Sequence, residues 1–121
     1  MYFNLASIAD RVGLCHRVVE GFLMEKKKAR QIMSALSQET RFRIFETLVD
    51  AGAQGMAAGE ISTAVKCAPN SVSAHMTILS AAGLVRSRKD GRSVIYRAIP
   101  RAVSDLAALL AAISARCTQD A

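Results

Sequence analysis

Apolar residues recur along most of this chain with a helical period, in short runs separated by turn signals. Between Ala58 and Lys66, Ile61, Ala64 and Val65 fall on one side of a short predicted helix, which Cys67-Ala68-Pro69 breaks. A second helix is predicted from Asn70 to Ala82 with Asn70 as its N-cap, and Val72, Met76 and Leu79 at i, i+4 and i+7 share its buried face. The opposite face carries Asn70, Ser71, Ala74 and Thr77, all short polar or small groups. Upstream, the pattern predicts a helix over Met24 to Leu36 that starts in Lys26-Lys27-Lys28, read as a solvated face. A further helix over Gln38 to Asp50 has Ser37 as N-cap and Phe42, Phe45, Leu48 and Val49 turned inward. Ala51 to Gly55 reads as a loop.

Beyond Ala82-Gly83 the period changes. Leu84 to Arg97 reads as a β-hairpin, with Asp90-Gly91 as a type I′ turn because both of its central positions favour positive φ. Two short helices joined by a tight turn, the second exposing small polar groups near its start, have the form of a helix-turn-helix, and the hairpin behind them adds a wing. The predicted fold class is therefore mainly α with a two-stranded β-wing, a winged helix-turn-helix.

The last predicted helix, Arg101 to Arg116 after Pro100, places Val103, Leu106, Leu110, Ile113 and Cys117 at alternating spacings of three and four, a heptad seam. Few helices in so small a domain remain to cover it, which favours a dimer interface over internal packing. Ile8, Val12, Cys15, Val19 and Phe22 permit a second seam in residues 1–23, although Gly13 and Gly21 each weaken a helix there by about 1 kcal/mol.

Charge sharpens the picture. The chain has 121 residues and a formal net charge of +6. Seven cations (Lys66, Arg86, Arg88, Lys89, Arg92, Arg97, Arg101) and one anion, Asp90, lie between positions 66 and 101, and the remainder is balanced. Cations gathered on a hairpin behind a helix-turn-helix suit a phosphate backbone. A 51% hydrophobic composition supports one domain with a modest core. There is no 18-residue apolar span for a membrane crossing, and Asp10, Arg11, His16, Arg17 and Glu20 interrupt any secretory apolar stretch, so a cytoplasmic protein is expected.

Four ordered motifs carry a resemblance. They are Ala35 to Phe45 (ALSQETRFRIF), Gly59-Glu60-Ile61, Asn70 to Met76 (NSVSAHM), and Ala82-Gly83-Leu84-Val85 followed by the wing. Over residues 24–117 this arrangement resembles the ArsR/SmtB family of bacterial transcriptional repressors. The resemblance implies a homodimer paired through its terminal helices that occupies double-stranded operator DNA and leaves it when an effector binds. Asn70, Ser71, Ala74 and Thr77 are expected at base edges with Ser73 and His75 flanking, and Arg88, Lys89 and Arg92 at the minor groove or phosphates. Because family members commonly begin near the position of Met24, residues 1–23 have two readings, a dimerisation helix or a start codon assigned too early.

The resemblance also frames the effector, which stays unknown at this stage. Metal-sensing relatives carry a Cys-x-Cys-type box on the helix before the recognition helix, but Gly59 to Ala64 holds neither thiol nor imidazole here. Another group uses Asp and His on the last helix; Asp105 is present with no His after it. A third binds arsenite through cysteines ending that helix, where Ala115-Arg116-Cys117-Thr118 matches only one, and trivalent arsenic needs three thiolates. If the two seams pair, Cys15 and Cys117 meet as a two-thiol site or reversible disulfide, sensing arsenite or another thiophilic or redox effector; inert packing is the alternative. Cys67 is expected to pack as a small hydrophobe, and His16 beside Cys15 is the only adjacent pair of soft ligands. No set of nucleophile, base and orienting group exists, so an enzyme has nothing to rest on. The competing class is a winged helix that binds an acidic protein through the same basic face.

Overall fold

The computed structural model describes residues 24–118. The predicted N-terminal seam, with Cys15 and His16, lies outside these residues.

Helix α1 (Lys26–Leu36) buries Ala29, Ile32 and Ala35 and leaves Lys26 to Lys28 exposed, the solvated face expected of that run. Ser37 does not cap the next helix. Its hydroxyl donates to the Ser34 carbonyl at 2.7 Å and closes α1, while Gln38 is the N-cap of α2 (Glu39–Ala51), its side-chain oxygen accepting the Arg41 N–H at 2.8 Å. The buried face of α2 is Ile44, Phe45 and Leu48, whereas Phe42 (46% exposed) and Val49 (41%) stand at its edge. The inward positions predicted for those two were wrong because Ile44, on the far side of Leu48, completes the buried stripe instead.

The expected loop after α2 is a 3₁₀ turn (Gly52–Gln54) leading into a short strand, β1 (Met56–Ala57), which the apolar pattern did not announce. Gly55 joins the two at φ +68°, and a Cβ there would drive into the Tyr96 carbonyl oxygen, so the close approach of turn and sheet requires glycine. Helix α3 (Ala58–Val65) follows; the Glu60 carboxylate accepts the Ala57 N–H at 3.1 Å, satisfying one donor at its start.

Helix α4 (Pro69–Ala81) begins one residue before the expected Asn70 cap. Ala68 is the N-cap and Pro69 is the first helical residue, where its missing N–H costs nothing and its fixed φ is already helical. At the other end, Leu84 N–H bonds Leu79 O and Gly83 N–H bonds Ser80 O, both at 3.0 Å, with Gly83 at φ +75°. This is a Schellman stop, with its two flanking apolar residues, Leu79 and Leu84, fully buried.

Strands β2 (Val85–Asp90) and β3 (Ser93–Ala98) form the hairpin, and β1 adds to the free edge of β3, giving the order β1-β3-β2. The sheet thus has three strands and not the expected two. Asp90 pairs with Ser93, so Gly91 and Arg92 are the turn, and only Gly91 has positive φ (+63°). Glycine at the first central position with an ordinary second residue is the type II′ pattern, one residue along from the predicted type I′ turn. Helix α5 (Pro100–Thr118) ends the described chain and packs against α1. All five helices and the sheet contribute to one core, anchored by Ile32, Ile44, Leu48, Ile61, Met76 and Leu79.

Candidate nucleic-acid interface

Helix α4 is held from behind. Val72, Met76 and Leu79 are buried to 1% or less, which fixes its roll and turns Asn70, Ser73, Ala74 and Thr77 outward. Ser71 is also exposed, and His75 is half-buried at the margin of the buried stripe. The six sequence-predicted positions therefore lie on one contiguous surface. The Thr77 hydroxyl donates to Ser73 O at 3.0 Å. Ile78 is exposed beside Ser71 and Ala74, off the stripe traced by Val72, Met76 and Leu79. It was not among the residues the sequence pointed to, because an apolar side chain carries no base-reading signal of its own.

The turn before α4 is pinned by two bonds: the Cys67 N–H donates to Ser62 O, and the Ser62 hydroxyl donates to Cys67 O. Lys66 takes a left-handed conformation (φ +53°) to make this turn, and its side chain is exposed. Cys67 is partly buried against the core, as expected for a small apolar group.

Pairing register sorts the wing's cations by face. Val85 opposite Ala98 and Ser87 opposite Tyr96 set the core side, because Val85 is buried and Tyr96 and Ala98 pack on the core. Arg86 opposite Arg97 and Arg88 opposite Ile95 therefore lie on the outer side. Like charges directly across a strand pair are destabilising unless an anion lies between or above them. Arg86 and Arg97 were counted in the sequence as charge but not as site residues; only the register brings them together. Lys89 lies at the tip opposite Val94, and Arg92 occupies the turn itself. Arg88 is partly committed, since its Nη2 donates to Gln54 O at 3.2 Å, tying the hairpin to the 3₁₀ turn.

Toward the other end of the fold, the α5 seam divides. Leu106 is 7% exposed and belongs to the protomer's own core, together with Ala102 and Leu109, while Leu110 (43%) and Ile113 (40%) face outward. The expectation that Leu106 lies in an intermolecular seam is thus corrected: the helix's inward stripe passes through that position. Met33 on the neighbouring α1 is exposed too. Cys117 is exposed near the end of α5 and free, and among the described residues no group of three His, Cys, Asp or Glu side chains is placed to hold a metal ion. Nor is any described helix long and apolar enough to cross a membrane.

Comparison with known proteins agrees with this geometry. Residues 36–88 match the model of a helix-turn-helix domain. The transcriptional activator HlyU of Vibrio cholerae is 31% identical over 75 residues, 60% of this chain and 67% of HlyU. Among solved structures, an ArsR-like transcriptional regulator from Rhodococcus sp. RHA1 superposes with a TM-score of 0.70 at 30% identity, covering 78% of this chain and 86% of that one. The reduced form of HlyU from Vibrio cholerae gives a TM-score of 0.58 at 28% identity, covering 69% and 85% of the two chains.

Proposed function

This chain belongs to the ArsR family of winged helix-turn-helix transcriptional regulators, and we propose that it acts as a cytoplasmic homodimeric repressor, released from operator DNA by a thiophilic or redox effector. The observation that carries the reading is the outward surface of α4, small and polar from Asn70 to Thr77, flanked by a wing whose cations are sorted onto its outer side and tip. In this reading Asn70, Ser71, Ala74 and Thr77 enter the major groove, with Ser73 and His75 flanking. Arg88, Lys89 and Arg92, joined by Arg86 and Arg97, neutralise phosphates or enter the minor groove. Residues 24–117 form the DNA-binding unit. The dimer is supported by the exposed Leu110 and Ile113 on α5. HlyU bears the name of an activator, and the sign of regulation follows from where the operator lies; repression results when it overlaps the promoter.

The wing makes a quantitative prediction. Each phosphate contact releases counterions, so Arg92→Ala and Arg97→Ala, each removing one contact from both protomers of the dimer, should each flatten the slope of log affinity against log salt by about 1.8, alike on operator and unrelated DNA. A loss confined to the operator would contradict the backbone role.

The effector is proposed to act through Cys15 and Cys117. A ligand that bridges them releases DNA only by favouring the state that cannot bind it; a tenfold release needs about 1.4 kcal/mol of preference. The test is a gel-retardation assay on the DNA just upstream of the protein's own gene, repeated with arsenite, zinc, cadmium and a persulfide donor. Cys117→Ser and Cys15→Ser proteins should bind but not release, and Cys67→Ser should behave normally. Release of the Cys117→Ser protein as readily as the unaltered one rules out sensing through α5. Retardation of no fragment, with capture of acidic protein instead, would favour the interaction-module alternative.

A further inference from the structure

The margin of α4 beside Ala74 carries a donor and an aliphatic side chain with no structural use for either. Among the described residues, Nδ1 of His75 is the one buried side-chain nitrogen or oxygen without a hydrogen-bond partner, whereas Nε2 of the same ring is not enclosed. An orphaned buried N–H is rarer than an under-used acceptor, which favours the arrangement with the N–H on Nε2. Ile78 follows one turn later and is 42% exposed, on a helix whose Val72, Met76 and Leu79 are all buried. Residues at i and i+3 are neighbours on a helix surface. The edge therefore offers one N–H donor next to one apolar group.

In the major groove, each base edge has its own pattern of groups. Thymine alone shows an acceptor, O4, beside a methyl group; adenine and guanine present acceptors without a methyl, and cytosine presents an amino donor. A phosphate oxygen would satisfy the imidazole but leave Ile78 facing a charged backbone. We propose that His75 and Ile78 together read one thymine in each half-site, His75 Nε2–H donating to O4 and Ile78 packing on the 5-methyl group. The inference rests on the proposal that α4 enters the major groove, and it adds the base that this edge selects.

The test uses the full-length protein and the fragment upstream of its gene, with each thymine replaced in turn by deoxyuridine, which removes only the methyl. One position per half-site should weaken binding by about fourfold, the worth of one buried methyl. Ile78→Ala, which removes the contact in both half-sites of the dimer, should weaken binding to the unaltered fragment by about the square of that factor, roughly fifteenfold, and abolish the response to deoxyuridine at either position. His75→Ala should cost about twenty-fivefold, the worth of one hydrogen bond of about fivefold in each half-site. His75→Gln, whose amide nitrogen reaches the place of Nε2, should restore most of the loss, and His75→Asn, whose amide sits at the place of Nδ1, should not. Unchanged thermal unfolding of the Ile78→Ala protein confirms that its fold is intact. A scan silent at every thymine, a deoxyuridine response that persists in Ile78→Ala, or rescue by Asn in place of Gln overturns the proposal while leaving operator binding standing. Failure of the unaltered protein to retain any fragment overturns the DNA-binding reading itself.

Discussion

A protein with glutamate at both Leu110 and Ile113 is expected to sediment as a monomer and to bind its operator at least about a hundredfold more weakly than the unaltered chain. Both side chains are exposed in the single protomer, so the substitution leaves the core intact. In the proposed dimer, they would bury unpaired carboxylates, at several kcal/mol for each ion. Losing the second recognition helix then removes the effective-concentration gain of two linked half-sites, worth about 10²–10⁴ in affinity. Leu106→Glu is the informative control. Leu106 lies in the protomer's own core, so that variant should lose its folded state rather than only its partner. A Leu110, Ile113 double variant that stays dimeric in sedimentation would place the interface elsewhere.

Leu79→Ala is expected to cost about 2–5 kcal/mol of stability, a large part of the roughly 5–15 kcal/mol typical of a small domain. Leu79 is fully buried, one turn from Met76, and its carbonyl accepts the Leu84 N–H that ends α4. Shortening it leaves a cavity under the helix that carries the proposed base-reading surface. Thermal unfolding should show a drop of about 4–8 °C for each kcal/mol lost. Operator affinity per folded molecule should fall too, because the roll of α4 is set by this contact surface. A loss below about 1 kcal/mol would mean that α4 is seated by something other than its buried stripe.

The helix-turn-helix was legible because α4 states its burial twice: Val72, Met76 and Leu79 at helical spacing on one side, and small polar groups on the other. The end of that helix was equally plain, since Ala82-Gly83-Leu84 supplies the glycine and the apolar residue that a Schellman stop needs. The wing's existence was legible but its turn was not. Asp90-Gly91 and Gly91-Arg92 both suit two-residue hairpins, and strand register, fixed by Val85 and Tyr96 against the core, decides between them. β1 spans two residues, too short for any periodic signal, and forms because β3 has a free edge beside the 3₁₀ turn. In α5 the three-four spacing traced a stripe that crosses from core to surface, so Leu106 and Leu110 share a seam in sequence but not an environment. At the candidate interface, single residues were visible while their pairings were not. Arg86 and Arg97 lie eleven positions apart, and only the register sets them face to face.

The most direct measurement is a hydroxyl-radical footprint of the protein on the fragment upstream of its gene, with affinity measured beside a scrambled fragment of equal length and charge. The account predicts two protected half-sites related by two-fold symmetry, their centres about 34–36 Å apart or a multiple of that. It also predicts an affinity at least about a thousandfold above that for the scrambled DNA at physiological salt. Equal affinity for both fragments, with no discrete protection on either, would show a basic surface that holds nucleic acid without reading it and would contradict the proposed operator-binding dimer.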